Sequence, residues 1–306
     1  MILLFDLLLA AGLLWLGWQV VAGRTLFNSI VMYVVLGLVM ALVWARLGSP
    51  DLALAEAAIG AGVTGAMLLL TYRRLLALAP ERAGQRLMRA YRLAAPVGLA
   101  CALGVLGLAW SLAGLPPPVR SAGDLAREAL EKTDIGNAVT GVLILYRGYD
   151  TLLEMAVLLI AWLGVKLVQP VSRPSALPAP PADPLVSPLL AAVVPSVVLV
   201  GGYLLHAGGQ APGGAFQAGA VIAAAGVLLA LSGRLEPISD PAPAQRALVV
   251  LGIAVFAALG LAAGGPAMAL PGTWAVYTIE AALTVSIAAT LVLLFLGAGG
   301  LRRRSG

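Results

Sequence analysis

Four carboxylates stand where a carboxylate is costly: Asp51, Glu56, Glu154 and Glu280 lie within, or at the edge of, long apolar stretches. Even on the gentlest scales a charge at the centre of a membrane helix costs about 2.5 kcal/mol, so such groups pair, hold a cation or pass on a proton. Their chemistry is ion movement. Glu56 is the most conspicuous, in SPDLALAEAAIGAGVTGAMLLLTY at 49–72. It lies five residues past Asp51, about 7 Å deeper along a helix. Gly60 and Thr64 follow at i+4 and i+8, placing a carboxylate, a gap and a hydroxyl on one face. Gly62 and Gly65, with Ala57 and Ala61, make the same stretch small enough for a second helix to approach closely. Two readings of Glu56 follow, an ion-path carboxylate and a paired acid in a packing helix. Asp51 has a local alternative too. With Ser49 as N-cap and Pro50 at the first helical position, it sits where the helix dipole favours an anion.

Glu280 lies about seven residues inside the last apolar run and shares its face with Thr273, Tyr277 and Thr284. No capping role explains it. Glu154 is explained by one, because Thr151-Leu152-Leu153-Glu154 has the spacing of a capping box. Asp150 is placed to cap as well, or to pair with Arg147. Lys166, three turns further on, reads as an interfacial anchor whose stem snorkels, and as a path residue only second. His206 opens the glycine-rich stretch HAGGQAPGGAFQAG, where it reads as an interfacial residue or a proton relay. That stretch lacks the Lys-Ser/Thr pair of a phosphate loop and follows no strand. Its Gly213, Gly214 and Gly219 are therefore close-approach residues.

The elements that must hold these residues are membrane helices. Of 306 residues 61% are hydrophobic and 11% charged, where a soluble domain carries roughly a quarter charged. The apolar residues come in runs of about 20, the length that crosses a bilayer core. The fold class is all-α and polytopic, with about nine spans at 2–22, 26–46, 51–72, 94–114, 151–169, 187–206, 213–232, 246–264 and 274–297. The first run has no basic flank or cleavage site and reads as a retained span. Arg73, Arg74, Arg82, Arg86, Arg89 and Arg92, and the terminal Arg302–Arg304, fall on one side by alternation. The positive-inside rule then puts the N-terminus out and the C-terminus in. The net charge of +5 reports topology, with no interleaved aromatics to stack bases and no nucleic-acid partner. One cysteine, Cys101, and one histidine exclude an internal disulfide, an iron–sulfur cluster and a Cys/His zinc site from this chain alone. No cofactor or metal is expected, and no enzyme.

Composition divides the chain at two places. The proline-rich 170–184, PVSRPSALPAPPADP, cannot continue a helix and reads as an extended linker. The polar 73–92 stretch is a softer boundary with the makings of a short interfacial helix. The organisation is a three-helix module at 1–92, a second module at 93–169, the linker, and a four-helix module at 185–306. In the second module DLAREALEKT has the spacing of an amphipathic helix, and NAVTGVLILY is too short to span and reads as a re-entrant segment.

Three stretches also carry a resemblance. SPDLALAEAAIGAG is similar to the J-type membrane segment found at the C-terminal end of the large A-type subunit of Mrp-type sodium/proton antiporters, and in membrane-bound hydrogenases. NAVTGVLILYRGYDTLLE resembles the module that follows it in those complexes, and PLLAAVVPSVVLVGGYLLHAGGQAPGGAFQAGAV resembles their B-type membrane subunit. The order is the family's, with departures: Leu153 stands where a glycine is usual, Ala215 replaces the third glycine of P-G-G-G-F-Q, and the His-Gly-His before it is not reproduced. The resemblance implies an accessory membrane subunit of a multisubunit antiporter in a prokaryotic inner membrane, transporting Na+ and H+. It implies as partners antiporter-like large subunits and a K-like small subunit, surrounded by membrane lipid. It assigns Glu56 to the functional carboxylate of the J-like helix and Glu154 to a retained acidic motif. The same module in a redox-driven pump, and a scaffold that packs helices and conducts nothing, are the alternatives.

Overall fold

The computed structural model describes residues 2–23, 25–78, 88–116, 120–168, 185–235, 242–263 and 272–299. The linker at 170–184, Arg24, the 79–87 part of the polar stretch and the terminal arginines lie outside them. The described residues are overwhelmingly helical and contain no strand. In chain order the helices are α1 (Ile2–Ala22), α2 (Leu26–Arg46), α3 (Pro50–Ala55), a π segment (Glu56–Val63), α4 (Thr64–Leu78), α5 (Met88–Ala113) and α6 (Ala122–Leu130). After them come α7 (Ala138–Gly141), a π turn (Val142–Tyr146), α8 (Gly148–Val168), α9 (Val186–Ala207), α10 (Ala215–Leu231), α11 (Pro243–Ala262) and α12 (Thr273–Gly299). Each of the nine expected spans coincides with a helix, the third being α3, the π segment and α4 run together. Seven of these are long and apolar enough to cross a membrane by length and composition, and α10 is a shorter apolar helix.

α12 is the centre. It packs on α10 and α11 most extensively, and also on α8, α4 and α9. Its Val276, Ile279, Ile287 and Phe295 are fully buried. Backbones come close because the partner residues are small. A Cβ at Gly219 of α10 would stand 2.8 Å from Ile287, one at Gly226 2.4 Å from Val292, and one at Gly252 of α11 3.0 Å from Ser286 and Leu283. Polar side chains on α12 are answered by backbone carbonyls. Ser286 Oγ donates to Val249 O at 2.5 Å and Thr290 Oγ1 to Ser286 O at 2.7 Å. In a membrane such bonds satisfy groups that hydrocarbon cannot.

The first three rods lie to one side. α1 packs on α2, and Arg46 closes their end with a fork onto Asp6, Nε–Oδ1 2.9 Å and a second nitrogen–Oδ2 3.2 Å. α2 packs along the π segment. A Cβ at Gly37 would lie 3.2 Å from Ala61, and one at Gly65 2.6 Å from Val34. The small stripe is thus met by α2 at Ala61 and Gly65, while Gly62 is exposed and touches only its own helix. α5 is different. From Pro96 to Ala113 it is exposed throughout, Cys101 included. α6 is the expected amphipathic helix, started by a capping box between Ser121 and Asp124. The Ser121 hydroxyl hydrogen bond holds the Asp124 carboxyl below its ordinary range.

The close approach of α10 and α12 predicts that Gly219→Val lowers stability by about 1–3 kcal/mol, since the neighbours are Ile287 and backbone rather than a mobile chain end. Thermal unfolding in detergent reads this as a lower midpoint, whereas Gly98→Val in α5, with open space around it, leaves the midpoint unchanged.

Candidate functional site

The glycine-rich loop between α9 and α10 is a junction at which three distant segments meet. It is built by its own backbone: Gly208 N and Gly214 N both donate to Leu204 O, at 3.1 and 2.9 Å. Gly213 has φ 154° and Gly214 φ 112°, and a Cβ on Gly213 would stand 2.4 Å from Leu204 O. Only glycine takes these conformations without strain.

The first segment to reach the loop is the start of α3. Asp51 is 6% exposed, and its Oδ1 accepts from Gly213 N at 2.8 Å and, more distantly, from Asn137 Nδ2 at 3.5 Å. Its backbone carbonyl accepts from Gln217 Nε2 at 3.2 Å. Ser49 makes no side-chain cap. Asp51 keeps its place in the first turn, but its carboxylate is spent on a tertiary clamp, not on its own helix end.

The second segment is 134–140. Gly136 N and Asn137 N donate to Gly209 O at 2.9 and 3.0 Å, and Gln210 Nε2 donates to Asp134 O at 2.5 Å. Asn137 Nδ2 donates to Ala211 O at 2.9 Å while its Oδ1 caps α7 through Val139 N. Thr140 Oγ1 donates to Gly208 O at 2.7 Å. The segment 138–146 is a short α-turn that widens into a π turn and stops at Arg147, with Thr140, Gly141 and Ile144 buried.

The third segment is α12. Glu280 is 2% exposed, and its Oε2 has no hydrogen-bond partner. The Ala215 amide, first in α10, and the Thr140 hydroxyl are the polar groups that reach its carboxylate. A Cβ on Gly214 would sit 3.1 Å from Glu280 Oε1, 3.6 Å from Gln217 Oε1 and 3.7 Å from Thr140 Oγ1. The missing side chain of Gly214 is what lets three polar side chains from three elements converge. Tyr277, one turn before Glu280, packs its hydroxyl against Gly209.

Asp51, Thr140, Gly213, Gly214, Gln217 and Glu280 line a half-open cavity of about 240 Å3, with Glu154 also in its wall. Glu154 contributes from α8 and is otherwise exposed. The capping-box expectation for it is corrected. α8 begins at Gly148, four residues earlier than that box requires, and Thr151 Oγ1 instead donates to Leu143 O at 2.8 Å, inside the π turn. Asp150 pairs with Arg147 at 2.6 Å.

The other candidates stand apart. Glu56 is half-buried at the head of the π segment and folds over Gly60, where a Cβ would lie 2.1 Å from Oε1; it does not line the cavity. Lys166 is half-buried in the last turn of α8, about 18 Å along the helix from Glu154. His206 is exposed in the last turn of α9. Asn137, Thr140 and Gln217 are absent from the candidates that sequence reasoning supplies, although all three lie within the motifs quoted above. Their polarity in otherwise small or apolar stretches is the signal that points to them.

Residues 11–77 match the MbhD family, described as the D subunit of MBH, and residues 186–301 match MnhB, a domain related to the MnhB subunit of Na+/H+ antiporter. No curated protein matches the chain. Among solved structures, the Mrp complex from Dietzia sp. DQ12-45-1b superposes with a TM-score of 0.79 at 23% identity, over 97% of this chain and 35% of that one. The membrane-bound sulfane sulfur reductase, an archaeal respiratory membrane complex, superposes at 0.53 and 23% identity, over 69% of this chain and 98% of that one. The chain spans about a third of the length of the Mrp chain it matches, and at this identity the likeness is one of fold. The chain thus carries an MbhD segment and an MnhB-related segment, in that order, and is similar to the Mrp-type antiporter subunits and to the membrane-bound hydrogenase subunits, as a multi-pass protein of the prokaryotic plasma membrane.

Proposed function

We propose that this chain is an accessory membrane subunit of a multisubunit monovalent cation/proton antiporter, and that the acid-lined cavity under the glycine-rich loop is a proton-carrying station on its ion path. The observation that carries the reading is Glu280: a carboxylate 2% exposed, with one oxygen unpartnered, at the wall of a cavity that also holds Glu154 and Asp51. A group with no function would be removed from such a place by substitution at a gain in stability, since burying an uncompensated carboxylate costs several kcal/mol. Here two features receive the charged form, the amide of Ala215 and the N-terminal end of α10. A proton on Oε2 supplies the neutral form. A side chain that its surroundings accept in both states is suited to loading and releasing a proton.

Glu154 is the accessible partner at the mouth, and Glu56 a separate carboxylate on the α2-facing rod. Glu56 sits in a π segment, a form of helix found frequently at functional sites. We assign it a relay role toward neighbouring subunits rather than toward this cavity. The three-module organisation, with boundaries near 92 and at 170–184, and nine spans with the N-terminus outside, belong to the same reading. The partners are antiporter-like large subunits and a K-like small subunit, while Na+ and H+ are the transported ions.

The likeness to the sulfane sulfur reductase supports a second reading, the same module in a redox-driven complex. A tagged chain withdrawn from its native membrane in mild detergent separates the two. Antiporter-like companions without iron–sulfur subunits support the first, and a hydrophilic redox arm supports the second.

In vesicles holding the whole complex, Glu280→Gln is expected to lower Na+-driven proton exchange at least tenfold with assembly intact; unchanged exchange takes Glu280 off the path. Glu56→Gln is expected to abolish exchange by the same assay. A scaffold that conducts nothing predicts instead that either variant costs assembly or nothing, and never exchange alone.

A further inference from the structure

The cavity is too large and too apolar to be shaped for an inorganic ion alone. Its volume is about 240 Å3, where about 10–15 Å3 holds one water. Leu52, Val139, Ile144, Met155, Phe216 and Leu283 are among its apolar lining residues. Its charged lining is all of one sign: Asp51, Glu154 and Glu280, with no Lys, Arg or His among the lining residues. Asp51 is engaged by the Gly213 amide, and Glu154 stands at the exposed side. Glu280 alone is deeply buried with an oxygen, Oε2, that nothing answers.

Around Glu280 the acceptors converge. Its Oε1, Gln217 Oε1 and Thr140 Oγ1 surround the point a Gly214 Cβ would fill, at 3.1, 3.6 and 3.7 Å. Thr140 Oγ1 donates to Gly208 O at 2.7 Å, which leaves the lone pairs of that oxygen to serve as an acceptor. Among the described residues no three His, Cys, Asp or Glu side chains come near enough to hold a metal ion together. A bare cation would meet these same acceptors and then hydrocarbon walls, which cannot replace the rest of its water. A cation with an apolar body meets both halves of the site. Its ammonium head makes charge-assisted bonds to the acceptors, and its carbon body covers the wall.

We propose that the cavity is a binding site for a small amphipathic organic monocation, a primary ammonium carrying an aryl or short alkyl body, with Glu280 as its counter-ion and Thr140 and Gln217 as its neutral acceptors. The site is the one given the proton-carrying role above, but occupancy is read directly and needs no transport.

The test titrates the intact complex, in detergent, with benzylammonium and with its neutral isostere benzyl alcohol by calorimetry. Benzylammonium is expected to bind saturably, and benzyl alcohol at least tenfold more weakly. Glu280→Gln is expected to weaken benzylammonium at least tenfold and leave benzyl alcohol unchanged. Should that variant not assemble, Thr140→Val and Thr140→Ser decide: valine, of the same shape without the acceptor, weakens benzylammonium, and serine does not. Equal binding of the two probes, no saturable binding, or insensitivity to Glu280→Gln or to the Thr140 pair overturns the proposal. Lost exchange in Glu280→Gln vesicles beside unchanged benzylammonium affinity would remove the binding site and leave the transport reading standing. Lost affinity with unchanged exchange would do the reverse.

Discussion

One hydrogen bond ties the molecule together across 162 positions of sequence: the Gly213 amide donates to the Asp51 carboxylate at 2.8 Å. A buried carboxylate and a buried loop backbone are each expensive alone, and each removes the other's cost. From this contact the rest follows. It pins the first turn of α3 to the loop. The loop in turn presents the carbonyls of Gly208, Gly209 and Ala211 to Thr140, to the 136–137 backbone and to Asn137. Non-helical backbone inside a membrane protein is tolerated where protein surrounds it, and here three segments do so. The glycines are needed because the loop must fold tightly on itself while other elements press in, Tyr277 at Gly209 and Glu280 at Gly214.

The same junction explains why an acid can stand in the central helix. α12 is the most enclosed of the described helices, and its other buried polar residues, Thr284, Ser286 and Thr290, are all returned to carbonyls within reach. Glu280 is the exception, with one oxygen unanswered beside a cavity. Polar residues elsewhere on that helix serve packing. This one borders a cavity, beside a glycine, a threonine and a glutamine from elements that the chain brings together only on folding. The acids at the cavity come from α3, α8 and α12, so the site exists only when all three are assembled.

Much of this is legible in the residues alone. Runs of about 20 apolar residues mark the helices, since hydrocarbon thickness dictates length. Asp51, Glu154 and Glu280 stand out because a carboxylate in such a run has few structural excuses. The Arg147–Asp150 pair is readable from spacing. What spacing does not carry is which acids meet. Asp51 looks like a helix-end residue and is a tertiary clamp; Glu154 looks like a capping-box glutamate and belongs to a helix that starts earlier. The π segments at 56–63 and 142–146 are equally hidden, because a π turn uses the same small and apolar residues as an α-turn. The glycine-rich loop reads as helix packing, which holds for Gly219 against Ile287, but its Gly208, Gly209, Gly213 and Gly214 serve a junction. Its long-range partners Asn137 and Thr140 stand out by polarity, but no spacing says that they meet this loop.

The assembly of the site depends most on the clamp between Asp51 and the loop. Hydrogen–deuterium exchange of segment 208–216 in the intact complex, compared between the native chain and Asp51→Ala, tests it directly. Loss of the acceptor leaves a buried amide unanswered, a penalty of about 1–3 kcal/mol. Exchange at the Gly213 amide and its neighbours is predicted to accelerate by about tenfold or more, with α5 unaffected. Exchange that stays as slow in the variant as in the native chain would show that the loop holds itself, and would contradict the claim that Asp51 assembles the site.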